Sequence, residues 1–253
     1  MTQLPNEWED RGYLSRQFQQ MPVGLAAGGA SLGMAKWLMD PRRPNPANAA
    51  ANTALNRELY NLRPSGTVIK TMANKPWWMQ ASMPGMGPHF DPSTNTVNVS
   101  TKFGHRPGNY DPSMVAHELG HAQQYNKGGR GMKLLNMAQT PARLAMMSGL
   151  TSFPQMFIDD EKTAGQAAAI GTAMGAPVVA HEIDASRKGR NLLKKAAQKS
   201  GTKLSFLKSL APYKGVPTYL LAAMMPYLSY KYLKSKGAYK KENQVKVNKK
   251  WGR

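Results

Sequence analysis

The sequence predicts an α+β fold that is mainly helical, with a small sheet placed before the helix that carries the most distinctive motif. Residues 47–62 place leucines at helical spacing and therefore predict an amphipathic helix. Residues 67–83 are rich in β-branched and aromatic side chains, and residues 96–100 alternate in polarity like a half-buried strand. Uncharged runs at residues 163–180 and 215–230 predict further, apolar helices.

Local signals define the helix that follows the sheet. Asp111 is a favoured N-cap residue, and Pro112 suits the first helical position. The glycine pair at residues 128–129 predicts its end. Residues 89–95, upstream, predict a turn. The apolar positions of the helix that are expected to face the core are Val115, Leu119 and Ala122.

This helix carries His117, Glu118 and His121. A spacing of four places the two imidazoles on one helix face, one turn apart, so both can reach one metal ion about 2 Å away. The carboxylate of Glu118 then lies beside the metal, where it can take a proton from a metal-bound water. With five histidines and seven glutamates in 253 residues, random placement gives the pattern roughly 0.003 times per chain. A metal-binding helix is therefore favoured over a surface helix that carries these residues by chance.

The ligand types open to a metal site are limited, because the chain contains no cysteine. Histidine, carboxylate and water ligands suit catalytic zinc, which takes three protein ligands and keeps one open position. Candidates for the third ligand are carboxylates and the remaining histidines, His89, His105 and His181.

Glu182 is the first choice for the third ligand. It follows the uncharged run of residues 163–180, and an unpaired buried carboxylate is costly unless a metal or partner compensates it. His181 is the second choice, and pairing of Glu182 with Arg187 is the alternative that needs no metal. Asp184 is a candidate for orienting a ligand histidine from behind.

The net charge of +20 is concentrated at one end of the chain. Residues 187–253 hold 18 of the 34 lysines and arginines and one acid, Glu242, whereas the first 186 residues carry a net charge of +3. A polycation of this kind favours anionic membrane or nucleic acid, and a solubilising tail is the alternative.

Three regions are expected along the chain. Residues 1–44 form an N-terminal segment with a candidate membrane helix, and residues 45–210 form the metal-binding core with an apolar helical hairpin at 141–180. Residues 211–253 form an apolar helix and a basic tail. Within the core, residues 191–210 predict a basic amphipathic helix. The apolar runs are short for a bilayer, so integral and monotopic insertion both stay open.

Four stretches together resemble the membrane-associated neutral zinc metallopeptidases of the YugP type, within the glutamate-zincins. They are residues 89–100, 115–123, 177–186 and, more loosely, 216–225. The resemblance implies a zincin-like core in which a strand precedes the metal helix, a membrane hairpin follows it, and a glutamate before an Asx-Ala-Ser run is the third ligand. In this sequence that glutamate is Glu182.

This sequence departs from the family pattern in several places. Phe90 replaces the usual tyrosine, and Asp184 stands where asparagine is common. The hairpin is less hydrophobic than is usual in the family, and the resemblance does not account for the basic C-terminal quarter.

These observations predict a zinc-dependent endopeptidase acting on a protein or peptide substrate. One catalytic Zn²⁺ is expected on His117, His121 and Glu182, with Glu118 as the general base. The strand Thr96–Ser100 is expected to be an exposed edge that aligns substrate backbone. Candidates for stabilising an oxyanion are His105, Tyr110 and Tyr125.

The chain is expected to be membrane-associated, either integral or monotopic, with an anionic membrane as partner. A soluble or virion-bound form is the alternative localisation. The alternative function is a basic structural protein of a virion or envelope that retains a zincin core and binds anionic membrane or nucleic acid through residues 187–253. Membrane is favoured over nucleic acid, because few aromatic side chains that could stack on bases lie among the lysines.

Overall fold

The computed structural model describes residues 49–72, 88–100, 111–130, 133, 146, 151–152, 157–158 and 160–239. The predicted membrane helix within residues 1–44, most of the first hairpin arm and the end of the basic tail lie outside these residues. The described helices and strands are α1 (Ala49–Asn61), β1 (Val68–Met72), β2 (His89–Asp91), β3 (Thr96–Ser100), α2 (Pro112–Lys127), α3 (Glu161–Ser200), α4 (Phe206–Ser209) and α5 (Val216–Ser235), with a 3₁₀ turn at Ala211–Tyr213 before α5.

The α+β class is confirmed, since the described residues are mainly helical and include one three-stranded sheet. The strand order is β1-β3-β2, with β1 parallel and β2 antiparallel to β3. The prediction that Thr96–Ser100 is an exposed edge is therefore wrong, because this strand is the central one and is hydrogen-bonded on both sides. Its alternation reflects Val97 and Val99, both buried beneath the sheet.

Residues 89–95, predicted as a turn, divide into strand β2 and a short turn. The carboxylate of Asp91 accepts hydrogen bonds from the backbone N–H of Ser93 (2.9 Å) and from the hydroxyl of Thr94 (2.7 Å). Asn95 closes the turn with a φ of 49°, a left-handed conformation that asparagine tolerates better than most residues. The segment before Asp91 is then extended and pairs with β3.

Helix α3 is a single 40-residue helix, about 60 Å long, rather than a hairpin arm followed by a separate basic helix. Asp160 caps its start by accepting a hydrogen bond from the N–H of Thr163 at 2.7 Å. Gly201 ends it with a φ of 66°, so the basic helix predicted over residues 191–210 stops ten residues early. The uncharged run and the basic run differ in composition, yet no signal between them ends a helix.

The two halves of α3 pack against different partners. Its C-terminal half joins α1, β3 and α2 in the main core through Leu192, Leu193, Ala196 and Ala197. Its N-terminal half packs against α5, with Gly171 facing Pro226 and Gly175 facing Ala223. Met146 and Thr151, from the segment before α3, lie beside Gly175 and Gly171 respectively. The helical hairpin predicted over residues 141–180 stays a prediction, because most of its first arm lies outside the described residues.

Helix α5 confirms the helix predicted at residues 215–230 and extends it to Ser235. Its last turn is joined to the start of α3 by an ion pair between Lys234 and Glu161 at 2.5 Å. Among the helices of the described ranges, α3 and α5 included, none combines the length and the apolar character that crossing a bilayer requires.

Candidate metal centre

The structure brings the three residues predicted to bind metal together at the crossing of α2 and α3. The Nε2 atom of His117 lies 3.2 Å from Oε2 of Glu182, and Nε2 of His121 lies 3.4 Å from Oε1 of the same carboxylate. One ligand atom from each of the three residues lies within 4.8 Å of the others. In the part of the chain that the structure describes, this is the group of side chains that could hold a metal ion.

Helix α2 places its two histidines as the sequence predicts. Asp111 accepts a hydrogen bond from the N–H of Ser113 at 2.9 Å, Pro112 is the first helical residue, and the helix ends at Gly128. His117 and His121 are one turn apart, with ring centroids at 4.9 Å. The rings are nearly perpendicular, so both Nε2 atoms can converge on the carboxylate of α3.

Close packing of α2 on α3 sets the distance between the two halves of the site. A β-carbon on Gly189 of α3 would lie 2.6 Å from the carbonyl oxygen of Ala116, closer than real contacts allow. Only glycine therefore fits at this point without separating the helices. The buried side chains of Val115, Leu119 and Ala122 complete the core face of α2, as predicted.

A side chain holds the second nitrogen of each imidazole. Nδ1 of His121 lies 3.0 Å from Oε1 of Gln124, and Nδ1 of His117 lies 3.1 Å from Oγ of Ser186. Gln124 and Ser186 are both buried. With the Nδ1 atoms engaged in this way, the Nε2 atoms face Glu182.

The chemistry of this donor set fits zinc. Two imidazole nitrogens and one carboxylate form a ligand set of catalytic zinc sites. In a tetrahedral site with arms of about 2.05 Å, neighbouring donor atoms lie about 3.3 Å apart. The Nε2 atoms of His117 and His121 lie at about that distance, 3.2 and 3.4 Å, from the two different oxygens of the Glu182 carboxylate. A cation placed among the two Nε2 atoms and the carboxylate would also offset the burial of Glu182.

Solvent reaches the site from one side. The side chain of His117 is 15 % exposed, whereas those of His121 and Glu182 are 4 % and 1 % exposed. Glu118, next to His117, is buried but is not part of the close group of ligand atoms. Of the three predicted ligands, His117 is therefore the one that solvent reaches most.

His181, the second choice of third ligand, and Arg187, the alternative partner of Glu182, both contact other residues. The His181 ring stacks on His121 with centroids 5.0 Å apart, outside the close ligand group. Arg187 forms its salt bridge with Asp184 at 2.7 Å. Of the remaining histidines, His89 contacts Asn98 across the sheet at 3.2 Å, and His105 lies outside the described residues.

The candidates for oxyanion stabilisation are not brought together. Tyr110, like His105, falls outside the described residues. The Tyr125 ring packs against Phe90, with centroids 5.6 Å apart, and the ammonium group of Lys133 lies 5.3 Å from its centre. Phe90 therefore supports Tyr125 by ring packing.

Asp184 is linked through Gln124 to His121, one of the two histidines predicted to bind metal. Its Oδ2 accepts a hydrogen bond from Nε2 of Gln124 at 2.9 Å, so Gln124 stands between Asp184 and His121. Burial opposes ionisation of Asp184, but hydrogen bonds from Lys188, Gln124 and Arg187 outweigh it and lower its pKa to about 2. Asp184 therefore stays charged over the physiological pH range.

Gln124 and Ser186 were not predicted as parts of the site. The spacing was a usable signal: Gln124 is three residues after His121, and Ser186 is four residues after Glu182, so each shares a helix face with a ligand. The carbonyl oxygen of Pro212, which accepts a hydrogen bond from Ser186 at 3.0 Å, gave no such signal because its contact depends on the tertiary fold.

Residues 81–233 match the family model described as "Putative neutral zinc metallopeptidase". The match covers more than half of the chain and includes α2, α3 and all three side chains predicted to bind metal. No curated protein and no solved structure matches the chain. The chain therefore belongs to the neutral zinc metallopeptidase family, and its metal is zinc.

Proposed function

We propose that the protein is a zinc-dependent endopeptidase whose zinc is bound by His117, His121 and Glu182. The observation that supports this most directly is the carboxylate of Glu182, which contacts the Nε2 atoms of both histidines at the distances that neighbouring zinc ligands have. Family membership implies a protein or peptide substrate. Three protein ligands leave a fourth position on a tetrahedral ion, as catalysis requires.

Each residue of the site has a distinct role in this proposal. When bound, zinc supplies a Lewis acid that polarises a carbonyl group and lowers the pKa of water. Glu118 acts as the general base, taking the proton of the attacking water and passing it to the leaving amine. This carboxylate is buried, which limits competition from bulk water.

The test is cleavage of an unfolded protein by the purified, zinc-loaded chain, beside Glu118→Gln. The variant should bind zinc like the wild type and lose at least about a hundredfold in rate, because general-base catalysis contributes about 10²–10⁴-fold. Glu161→Gln is a matched control, since Glu161 lies on α3 about 30 Å along the helix axis from Glu182. A zinc-loaded wild type that cleaves nothing would favour the alternative, a basic structural protein that retains the zincin core.

We further propose that the protein works at an anionic membrane surface. Phe206 and Leu207, on α4, are 69 % and 78 % exposed and lie between Lys203 and Lys208. Residues 187–239 contain 12 basic and no acidic residues. Bulky apolar side chains flanked by lysines are typical of a segment that inserts into the headgroup region, with the lysines on anionic lipid.

Nucleic acid is the competing anionic partner. Three exposed lysines of α3 would serve either partner; they are Lys194, Lys195 and Lys199. Leu207 favours membrane, because a leucine gains free energy in the acyl region of a bilayer and offers no face for base stacking, whereas Phe206 would serve either partner.

A further inference from the structure

We propose that Gln124 and Ser186 are positioning residues for the metal, each holding one ligand histidine in the tautomer that directs Nε2 at Glu182. This inference rests on the zinc site proposed above. It concerns residues that do not themselves bind the metal, so their effect has to pass through His121 and His117.

The hydrogen bonds of Ser186 fix the tautomer of His117. The Ser186 hydroxyl lies 3.0 Å from the carbonyl oxygen of Pro212, which can only accept. A hydroxyl has one hydrogen to donate, and Ser186 uses it on Pro212. At the 3.1 Å contact with His117, the Ser186 oxygen must then accept, and Nδ1 of His117 must carry the hydrogen. The Nε2 atom is left with its lone pair toward Glu182.

The same reasoning applies to His121 through Gln124. The amide nitrogen of Gln124 lies 2.9 Å from the carbonyl oxygen of His181 and 2.9 Å from Oδ2 of Asp184. The carbonyl oxygen of His181 can only accept, so this end of the side chain is the NH₂ group, and its two hydrogens are directed at His181 and Asp184. The other end is the oxygen, and it accepts a hydrogen bond from Nδ1 of His121 at 3.0 Å.

The two residues also tie the halves of the site together. Gln124 is on α2 and reaches two groups of α3, whereas Ser186 is on α3 and reaches His117 of α2. Both side chains are buried, so water does not compete for these bonds. Each ligand histidine is thus fixed by a side chain that is itself fixed by the opposite helix or by the 3₁₀ turn. Partners of this kind typically change metal affinity by about 10–100-fold.

The experiment uses the full-length, zinc-loaded protein with ¹⁵N-labelled histidine, as wild type, Gln124→Met and Ser186→Ala. Gln123→Met is the matched control, being the same substitution one position earlier on α2. Zinc affinity is measured by competition with a chelator. Proton-detected ¹⁵N spectra report which histidine keeps a slowly exchanging Nδ1–H.

The expected pattern is residue-selective. Gln124→Met should lose the Nδ1–H signal of His121 and keep that of His117, and Ser186→Ala should do the reverse. Each should weaken zinc binding by about 10–100-fold, with the control within about twofold of wild type.

If Gln124 and Ser186 only filled space in the core, their variants would not change the Nδ1–H signals selectively. Variants that are less stable but keep both Nδ1–H signals, or that lose both together, would overturn the proposal, as would unchanged zinc affinity. If Gln124→Met does not fold, Ser186→Ala tests the same proposal by removing a single oxygen atom. A wild type that binds no zinc would refute the proposed function instead; the same selective pattern is then expected in the metal-free protein, and its absence there would refute the positioning role.

Discussion

Gly120 lies so close to the backbone of Ala185 that a β-carbon on Gly120 would stand 2.1 Å from the carbonyl oxygen of Ala185. Gly120 is the residue directly before the ligand His121, and Ala185 is three residues after the ligand Glu182. The contact therefore sets how closely the two ligand-bearing helices approach. With Gly189 against Ala116, it forms a reciprocal pair in which a glycine of each helix meets the backbone of the other.

Gly120→Ala is expected to push α2 away from α3. The substitution should lower the free energy of unfolding by at least about 1–3 kcal/mol, the usual cost of overpacking, and should weaken zinc binding because the ligands separate. Thermal unfolding and zinc competition measure the two effects. Gly129→Ala is the control, since its β-carbon would meet nothing within 4 Å. Wild-type values for Gly120→Ala would show that the crossing is not rigid.

Glu182→Gln should affect the metal-free and zinc-loaded proteins in opposite directions. Without metal, the variant should be as stable as the wild type or more stable, because it removes the penalty for a buried carboxylate. With zinc, it should be less stable, because a ligand that binds only the folded state stabilises it in proportion to affinity. Unfolding temperatures at pH 8, with chelator and with zinc, test this. A zinc-induced rise equal to that of the wild type would exclude Glu182 as a ligand.

Asp184→Asn should remove part of the acid dependence of stability. The folded pKa of Asp184, about 2, lies below its ordinary value of 3.8. The carboxylate therefore contributes stability above about pH 4, and that contribution is lost as the pH falls toward 2. The variant should be less stable than the wild type by about 2 kcal/mol at pH 7 and nearly equal to it near pH 2. Urea unfolding of the metal-free proteins at both pH values is the measurement; a pH-independent difference would contradict it.

Replacing Phe206 and Leu207 together with serine should weaken binding to vesicles that contain phosphatidylserine by about tenfold or more, because the apolar side chains no longer enter the bilayer. Flotation with vesicles measures this. Ile170→Ser with Met174→Ser is the control, since these two apolar side chains are also exposed but lie on the N-terminal half of α3. Nucleic-acid gel shifts across a salt series are measured on the same proteins. A wild type that binds nucleic acid but not vesicles would contradict the membrane proposal and favour nucleic acid as the anionic partner.

Local signals in the sequence were sufficient for much of the fold. The N-cap at Asp111, the proline that follows it and the glycine at residue 128 bound α2 where predicted. Strand β3 has the predicted limits, and helix α5 begins where the uncharged run begins. These predictions depended on caps and side-chain spacing within a few residues of the chain. Such local patterns can be read directly from the sequence.

Predictions that depended on distant contacts were less accurate. The alternation of Thr96–Ser100 revealed a strand but not its place in the sheet, because the partners of a strand come from elsewhere in the chain. The change from an uncharged to a basic composition near residue 187 suggested a boundary. Helix α3 continues through it, because each half is stabilised by a different neighbour. Pro177, inside the helix, lacks an N–H and removes one backbone hydrogen bond without ending the helix.

By itself, the sequence determined the candidate residues for the chemistry: two histidines one helical turn apart, a glutamate between them, and a second glutamate after a long uncharged run. Only the tertiary structure decided that Glu182 meets both Nε2 atoms, because that meeting requires α2 and α3 to cross at Gly120 and Gly189. It also decided which nitrogen each histidine presents. Spacing along a helix specifies the face that a side chain occupies, whereas its tautomer is set by hydrogen-bond partners that folding brings from other elements.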